Sequence, residues 1–259
     1  MLPSVHFFRK TLNVLRSPCV EIALFGDSSA RCKFEHFIQR HPRFPLMRCK
    51  KWGVALLELP KTFEDYLKEH KDARKRRNKC IKLGYKFGSM EPADYLEDIL
   101  AINGSSPKRQ GTTVRKEYLE PDLVRSYFDQ VCGTMVGIFR QDDVLVAYHH
   151  FTMCGDACVS NRIFGHADQL KSGIMYYLMT ESVRTLIDFR EEYGYPHWTM
   201  YDTIAGASEG MLRFKTRLGY ESYNVNWIWE ESLSHKEACL TGQAVEQPVI
   251  PHFTKPHTI

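Results

Sequence analysis

No stretch of the 259-residue sequence approaches the ~18–20 continuous apolar residues that carry a helix across a bilayer, so an integral membrane protein is not expected. The opening Met1–Lys10 has too short an apolar stretch for a secretory signal and no small-residue cleavage site. No acid precedes Glu21, whereas Arg9, Lys10 and Arg16 do; this faint transit-peptide pattern is read instead as a short amphipathic helix docked on the domain. No Cys-x-x-Cys occurs among the eight scattered cysteines, which argues against a disulfide scaffold and for a reducing, cytoplasmic setting. Neither sign of charge is scarce: 35 Lys+Arg against 31 Asp+Glu leave +4, too mild to make a nucleic-acid binder by composition alone.

One arrangement invites a metal. Cys154-x-x-x-Cys158 has His149, His150 and His166 nearby, but Gly155-Asp156 is a hairpin turn signal that sets the two cysteines on strands either side of it, so no metal is expected.

Along the chain, residues 1–60 read as a small N-terminal α/β lobe: a strand at Val20–Phe25, a helix from Ser29 to Arg40, and a strand at Trp52–Leu59 ended by Pro60. Thr62 with Asp65 three residues on is a helix cap, and Tyr66–Leu83 carries eight bases before Gly84 stops it. That basic helix is either a solvated face or a contact for phosphates, of a nucleotide-bearing cofactor or an RNA. No aromatic residue lies between Ala73 and Leu83, so a stacking platform for single strands is excluded. Helices at Ala93–Asn103 and Glu117–Val131 flank a long polar stretch, Gly104–Thr113, in which Lys108 and Arg109 can fix an anionic group of a substrate. A mobile surface loop is the competing reading.

The second half is more regular. Thr134–Arg140, Val144–Met153 and Cys158–Phe164, joined by tight turns, predict an antiparallel meander. A helix from about Gly173 to Arg190 follows, with Met175, Leu178, Ser182, Leu186 and Phe189 on one stripe. Then come a strand at Trp198–Ile204, a short helix at Glu209–Leu218 and closing strands in Tyr220–Glu230. Residues 233–259 read as a loosely held tail.

This order, closing with Phe214-Lys215-Thr216-Arg217-Leu218-Gly219-Tyr220, resembles the Gcn5-related N-acetyltransferase (GNAT) superfamily, and within it the FemABX-like branch, over roughly residues 60–232. The branch's Arg/Lys-rich helix and its Phe-Lys-x-x-(Leu/Phe)-Gly segment correspond to Asp72–Leu83 and Phe214–Gly219. The resemblance implies an α/β acyltransferase fold over residues 61–232, with a mixed, mostly antiparallel central sheet flanked by helices. It implies acyl-CoA or acetyl-CoA as co-substrate, its pyrophosphate received by the turn His166–Gly173 at the start of the long helix. Here that turn departs from the family's Gln/Arg-x-x-Gly-x-Gly/Ala: from Gln169, Ser172 and Ile174 stand at the glycine positions, and Gly173 is the one glycine present. Gln169, Lys171, Ser172, Gly173 and Phe214 are accordingly the expected donor-binding residues.

Asp202, at the open end of its strand, can receive a proton from an acceptor amine, or cap the following chain. Lys215 stands where many family members have a tyrosine acid; it can stabilise an oxyanion or hold a phosphate, or it is a snorkelling lysine. His149 and His150 adjoin on a strand, so one faces away from any cleft; His149 is a candidate base, or a satisfied core histidine. Together these imply an enzyme, an N-acyltransferase moving an acyl group to a small-molecule or peptide amine by direct attack. Two rivals stand beside it: a FemABX-like transferase taking aminoacyl-tRNA, and a non-catalytic protein that keeps the fold and binds a ligand or partner.

Overall fold

A computed structural model describes residues 14–42, 44–109, 111–204 and 206–231, with the backbone only over 44–47. The expected N-terminal amphipathic helix and the tail from 233 lie outside the described residues.

In chain order the elements are β1 (Cys19–Leu24), α1 (Ser28–Ile38), β2 (Arg40–His41), β3 (Phe44–Arg48), β4 (Val54–Glu58), α2 (Phe63–Glu69), α3 (Lys71–Lys82), β5 (Lys86–Ser89), α4 (Leu96–Gly104), β6 (Lys108–Arg109), β7 (Thr112–Thr113), α5 (Pro121–Gln130), β8 (Thr134–Phe139), β9 (Leu145–Cys154), β10 (Ala157–Gly165), α6 (Ile174–Tyr193), β11 (Trp198–Thr203), α7 (Glu209–Arg217) and β12 (Glu221–Trp229). Short 3-10 turns occupy Pro92–Tyr95, Lys116–Tyr118 and Ala167–Ser172.

The described residues divide into two compact units, one of 14–59, 153–159 and 193–231, the other of 60–152 and 160–192. The chain crosses from the first to the second at Leu59–Pro60, and strands β9 and β10 have residues in each.

In the first unit the strand order is β1-β12-β4-β11, then the opening residues of β10. β1 is parallel to β12, from Cys19↔Asn224 to Leu24↔Trp229, while β4 is antiparallel to both β12 and β11. Residues 14–59 therefore share a sheet with the C-terminal strands. Val54, Ala55, Leu56 and Leu57 are all buried, as a central strand requires when both its faces are covered. Val54 and Leu56 pack with Ile22, Leu24, Met200, Val225 and Trp227, against which α1 lays Ala30 and Phe37. Asp27 starts α1 by accepting from Ala30 N–H at 3.0 Å.

In the second unit the order is β5-β8-β9-β10, with β5, β8 and β9 successively antiparallel. The meander expected from the sequence is present, with Gly155 in the left-handed region (φ 60°) at its second turn. The basic stretch forms two helices rather than one. Thr62 caps α2, accepting from Asp65 N–H at 3.2 Å, and the chain leaves helical geometry at His70 (φ −102°, ψ 68°) before α3 begins. Pro121 opens α5, where its missing N–H costs nothing. α6 runs 20 residues, about 30 Å, and buries Ile174, Leu178, Ser182, Leu186 and Phe189 among others.

Candidate functional site

The turn before α6 is organised by α3. Gly173 sits at φ 95°, and a side chain there would put its Cβ 3.3 Å from the Cβ of Arg76, so conformation and space both call for glycine. Cys80 Sγ donates to the carbonyl of Ser172 at 3.4 Å and Lys79 Nζ to that of Lys171 at 3.5 Å. Tyr85 Oη donates to Gln169 Oε1 at 2.5 Å and lies 3.5 Å from Ser172 Oγ. The turn's carbonyls and the Gln169 side chain are thus occupied from one side. At the start of α6 the amides of Tyr176 and Tyr177 donate to the Gly173 carbonyl at 3.0 and 3.1 Å, and the dipole of a 20-residue helix favours an anion beside the preceding amides of Ile174 and Met175.

The eight bases of the basic stretch are not equivalent. Arg77 pairs with buried Glu181 of α6, and its guanidinium lies 5.5 Å from the centre of the Phe63 ring; Arg184 is 3.8 Å from the same carboxylate. Arg76 stacks 4.6 Å over Tyr176. Lys68, Lys71, Arg74, Lys75, Lys79 and Lys82 are exposed. Arg76 and Arg77 thus pack the helix onto α6, a role neither expected reading named, while the six exposed bases form the solvated face. Beside the Arg77–Glu181 pair, a cavity of about 390 Å³ is lined by Phe63, Leu67, Arg77, Arg184 and Ile187. None of the residues expected to bind donor or acceptor lines it.

Arg109 lies in the β6–β7 pair within the long polar stretch. Its guanidinium donates to the carbonyl of Gly165 at 3.2 Å and to Ser105 Oγ at 3.2 Å, and reaches the carbonyl of Ile102. Burial lowers its pKa, so the side chain is a brace between the hairpin and the end of β10. Lys108 is exposed.

His149 is 0% exposed. Ser182 Oγ gives its one proton to the carbonyl of Leu178 (2.9 Å), so it accepts from His149 Nδ1–H (3.0 Å); the Nε2 lone pair then accepts from Ser160 Oγ (2.9 Å). Burial first and the neighbouring His150 second lower its pKa to about 3. The imidazole is neutral and its lone pair is already used, which is the core histidine of the two readings.

Asp202 and Lys215 come together in the first unit. Asp202 is a non-glycine residue at φ 56°, where the register of β11 against β4 shifts between Met200 and Thr203. The kink turns the carbonyls of Tyr201 and Thr203 toward Lys215, whose Nζ donates to them at 2.7 and 2.8 Å. Lys215 is 3% exposed, not a snorkelling surface residue. Desolvation lowers its pKa to about 8, countered by the Asp202 carboxylate and reinforced by Lys50. The Asp202 carboxylate is largely exposed and accepts a hydrogen bond from Lys50, a partner without any signal in the sequence. Phe214 packs edge-on to Tyr201 at 6.3 Å.

No protein-family model matches the sequence, and no curated protein does. Among solved structures, FemX superposes with a TM-score of 0.51 at 8% identity, over 66% of this chain and 59% of that one. The fold is GNAT-like. Other GNAT-like matches include L-PGS from Bacillus licheniformis (TM-score 0.43, 16% identity, 67% of this chain and 60% of that one). A tandem GNAT protein from the clavulanic acid biosynthesis pathway matches with a TM-score of 0.44 at 12% identity, over 66% of this chain and 50% of that one. The chain spans between half and three-fifths of these GNAT-like proteins' lengths. Within the GNAT-like fold, the Ala167–Ser172 turn and α6 follow the third meander strand, the position the family resemblance gives to donor binding.

Proposed function

We propose that the protein transfers an acyl group from an acyl-CoA thioester to an amine. The observation that carries this reading is the Gly173 turn, left-handed at φ 95° and packed against Arg76, at the head of a long helix bordered by Arg76, Lys79 and Lys171. A diphosphate at those amides would be neutralised by the dipole and by the nearby cations. Gln169, Ser172 and Gly173 would shape the donor site. The amine attacks the donor carbonyl, the C–N bond forms, the C–S bond breaks, and the thiolate leaves. Within the first unit, Asp202 and Lys215 are the candidates to take a proton and to stabilise an oxyanion through the third N–H of the Lys215 ammonium. Lys108 would meet an anionic part of the acceptor. His149 has no part in proton transfer.

A second reading, aminoacyl-tRNA as donor, is favoured by the five exposed bases on α3. A thermal-shift panel of coenzyme A, acetyl-CoA, longer acyl-CoAs and total tRNA separates the two. A ligand at a hundred times its dissociation constant stabilises the fold by about 2.7 kcal/mol. The acyl-CoA reading expects a shift with coenzyme A that Gly173→Ala reduces. No shift with any acyl-CoA, together with tRNA binding that falls steeply with salt and with Lys75→Glu and Lys82→Glu, would replace it with the tRNA reading.

A further inference from the structure

Arg162, on β10, is 7% exposed, yet no carboxylate pairs with it among the described residues. Its guanidinium carbon lies 3.2 Å from the centre of the Tyr127 ring, 4.6 Å from that of Tyr118 and 5.7 Å from that of Phe128. Its Nη1 is buried and has no hydrogen-bond partner. The walls of this cage are fixed from behind. Tyr127 Oη bonds His150 Nδ1 at 2.9 Å; Asn103 Nδ2 donates to the Tyr118 carbonyl at 2.8 Å, and its Oδ1 accepts from Tyr148 Oη at 2.8 Å.

A second guanidinium continues the same cluster. Phe164 lies 5.2 Å from Tyr118 and carries Arg109 at 4.8 Å on its ring, and Arg109 Nε is likewise buried without a partner. A buried cation, Arg162, and a half-buried one, Arg109, each with an unmet donor and no carboxylate paired to it among the described residues, are costly unless an anion completes them. Stacking on aromatic faces stabilises such cations, and Tyr127 shares a hydrogen bond with Arg162, but Arg162 Nη1 and Arg109 Nε are left unmet. The cage is built from β10, α5 and the Lys116–Tyr118 turn, whereas the donor turn is engaged by α3 and Tyr85.

We propose that the aromatic cage around Arg162 binds a carboxylate carried by the acceptor, so that the acceptor amine belongs to an amino acid or to a peptide with a free C-terminus. A planar carboxylate matches the guanidinium fork and fits between rings, where a tetrahedral phosphate would leave oxygens facing apolar walls. Tyr118 is the partly exposed wall, and its ring turning aside admits the ligand. The site rests on the acyl-transfer reading for its role, but not for its chemistry.

The test is therefore first a binding test on the full chain. Calorimetric titration with benzoate and with benzamide compares two probes of one shape that differ in charge. Benzoate is expected to bind at least ~10-fold more tightly, and Arg162→Met is expected to abolish the difference, with Arg162→Lys intermediate. Removing an uncompensated buried cation should leave the Arg162→Met melting temperature at or above that of the parent. Equal binding of both probes, binding of neither, or benzoate affinity retained in Arg162→Met overturns the proposal. So does an Arg162→Met protein that melts several degrees lower and is rescued by lysine with no gain in benzoate binding, since the cation is then structural. The acceptor role is read by kcat/KM for L-alanine against L-alaninamide: preference for the acid, lost in Arg162→Met, supports it, and equal use of both overturns it. Absence of any acyl transfer with benzoate still bound through Arg162 sinks the acyl-transfer reading and the acceptor role while leaving the anion site.

Discussion

Replacing Lys215 by methionine keeps the buried stem and removes the amine, which isolates the cost and the gain of an ammonium placed under the Asp202 kink. Desolvation lowers the Lys215 pKa from 10.5 to about 8. A base whose folded pKa lies below its unfolded value binds fewer protons in the fold, so its contribution to stability rises with pH across that window. The size of the rise is about 3 kcal/mol between pH 8 and 10.5. Above that window the neutral amine still donates to the carbonyls of Tyr201 and Thr203 at 2.7 and 2.8 Å, worth about 1 kcal/mol each. The parent should therefore be more stable than Lys215→Met by about 2 kcal/mol at pH 10.5, and level with it or about 1 kcal/mol less stable at pH 7. Urea unfolding of both proteins from pH 7 to 10.5 gives the difference directly. Other titrating groups cancel because they are common to both chains. A difference that stays constant across the range refutes the argument, because Lys215 then titrates as an exposed lysine does.

Gly173→Ala should destabilise the protein by about 1–2 kcal/mol, since the left-handed backbone and the nearby Arg76 Cβ both oppose a methyl group, and should weaken coenzyme A binding in calorimetry; unchanged affinity would count against a donor site at this turn. Arg77→Met alone should cost about 3 kcal/mol, leaving Glu181 with only the longer Arg184 contact, while Arg77→Met with Glu181→Leu should recover most of it in a double-mutant cycle. His149 is neutral in the fold with its pKa near 3, so its contribution is complete above pH 6.5 and is lost as the pH falls from 6.5 toward 3. Acid unfolding of the parent should show an additional loss of roughly 4 kcal/mol over that window relative to His149→Leu, and parallel acid profiles would show that the imidazole does not resist protonation.

The meander and the long helix were legible in the sequence because each is local: alternating β-branched residues, a Gly-Asp turn and a 3.6-residue stripe report on neighbours within one element. Thr62 likewise announced its helix through Asp65, three residues away. The break at His70 was not legible, because the basic residues on either side have helix propensity and only the burial of Tyr66 and Ala73 fixes where the axis turns. Nor was the partnering of residues 14–59 with β11 and β12, since strand pairing across such a separation leaves no local pattern. Among the candidate residues, the sequence singled out the turn and Lys215, but the polar partners that decide their state, Tyr85, Cys80, Lys50 and the Tyr201 and Thr203 carbonyls, arrive from other segments. Arg162 carried one available signal, a cation inside a strand whose flanks, Ala157–Val159 and Ile163–Phe164, are apolar.

The parallel pairing of β1 with β12 has a consequence for synthesis. Cys19 meets Asn224 and Leu24 meets Trp229, so the first strand of the sheet waits for the last. A chain emerging from the ribosome has made β1 and β4 well before either has β12 beside it, and their apolar faces, Ile22, Leu24 and Val54–Leu57, have no finished sheet to join. Closing so long a loop is entropically slow, which makes this unit the late step in folding and its unpaired edges the place where nascent or truncated chains aggregate. A chain ending before Glu221 would leave β1 without its parallel partner and β4 with one edge open.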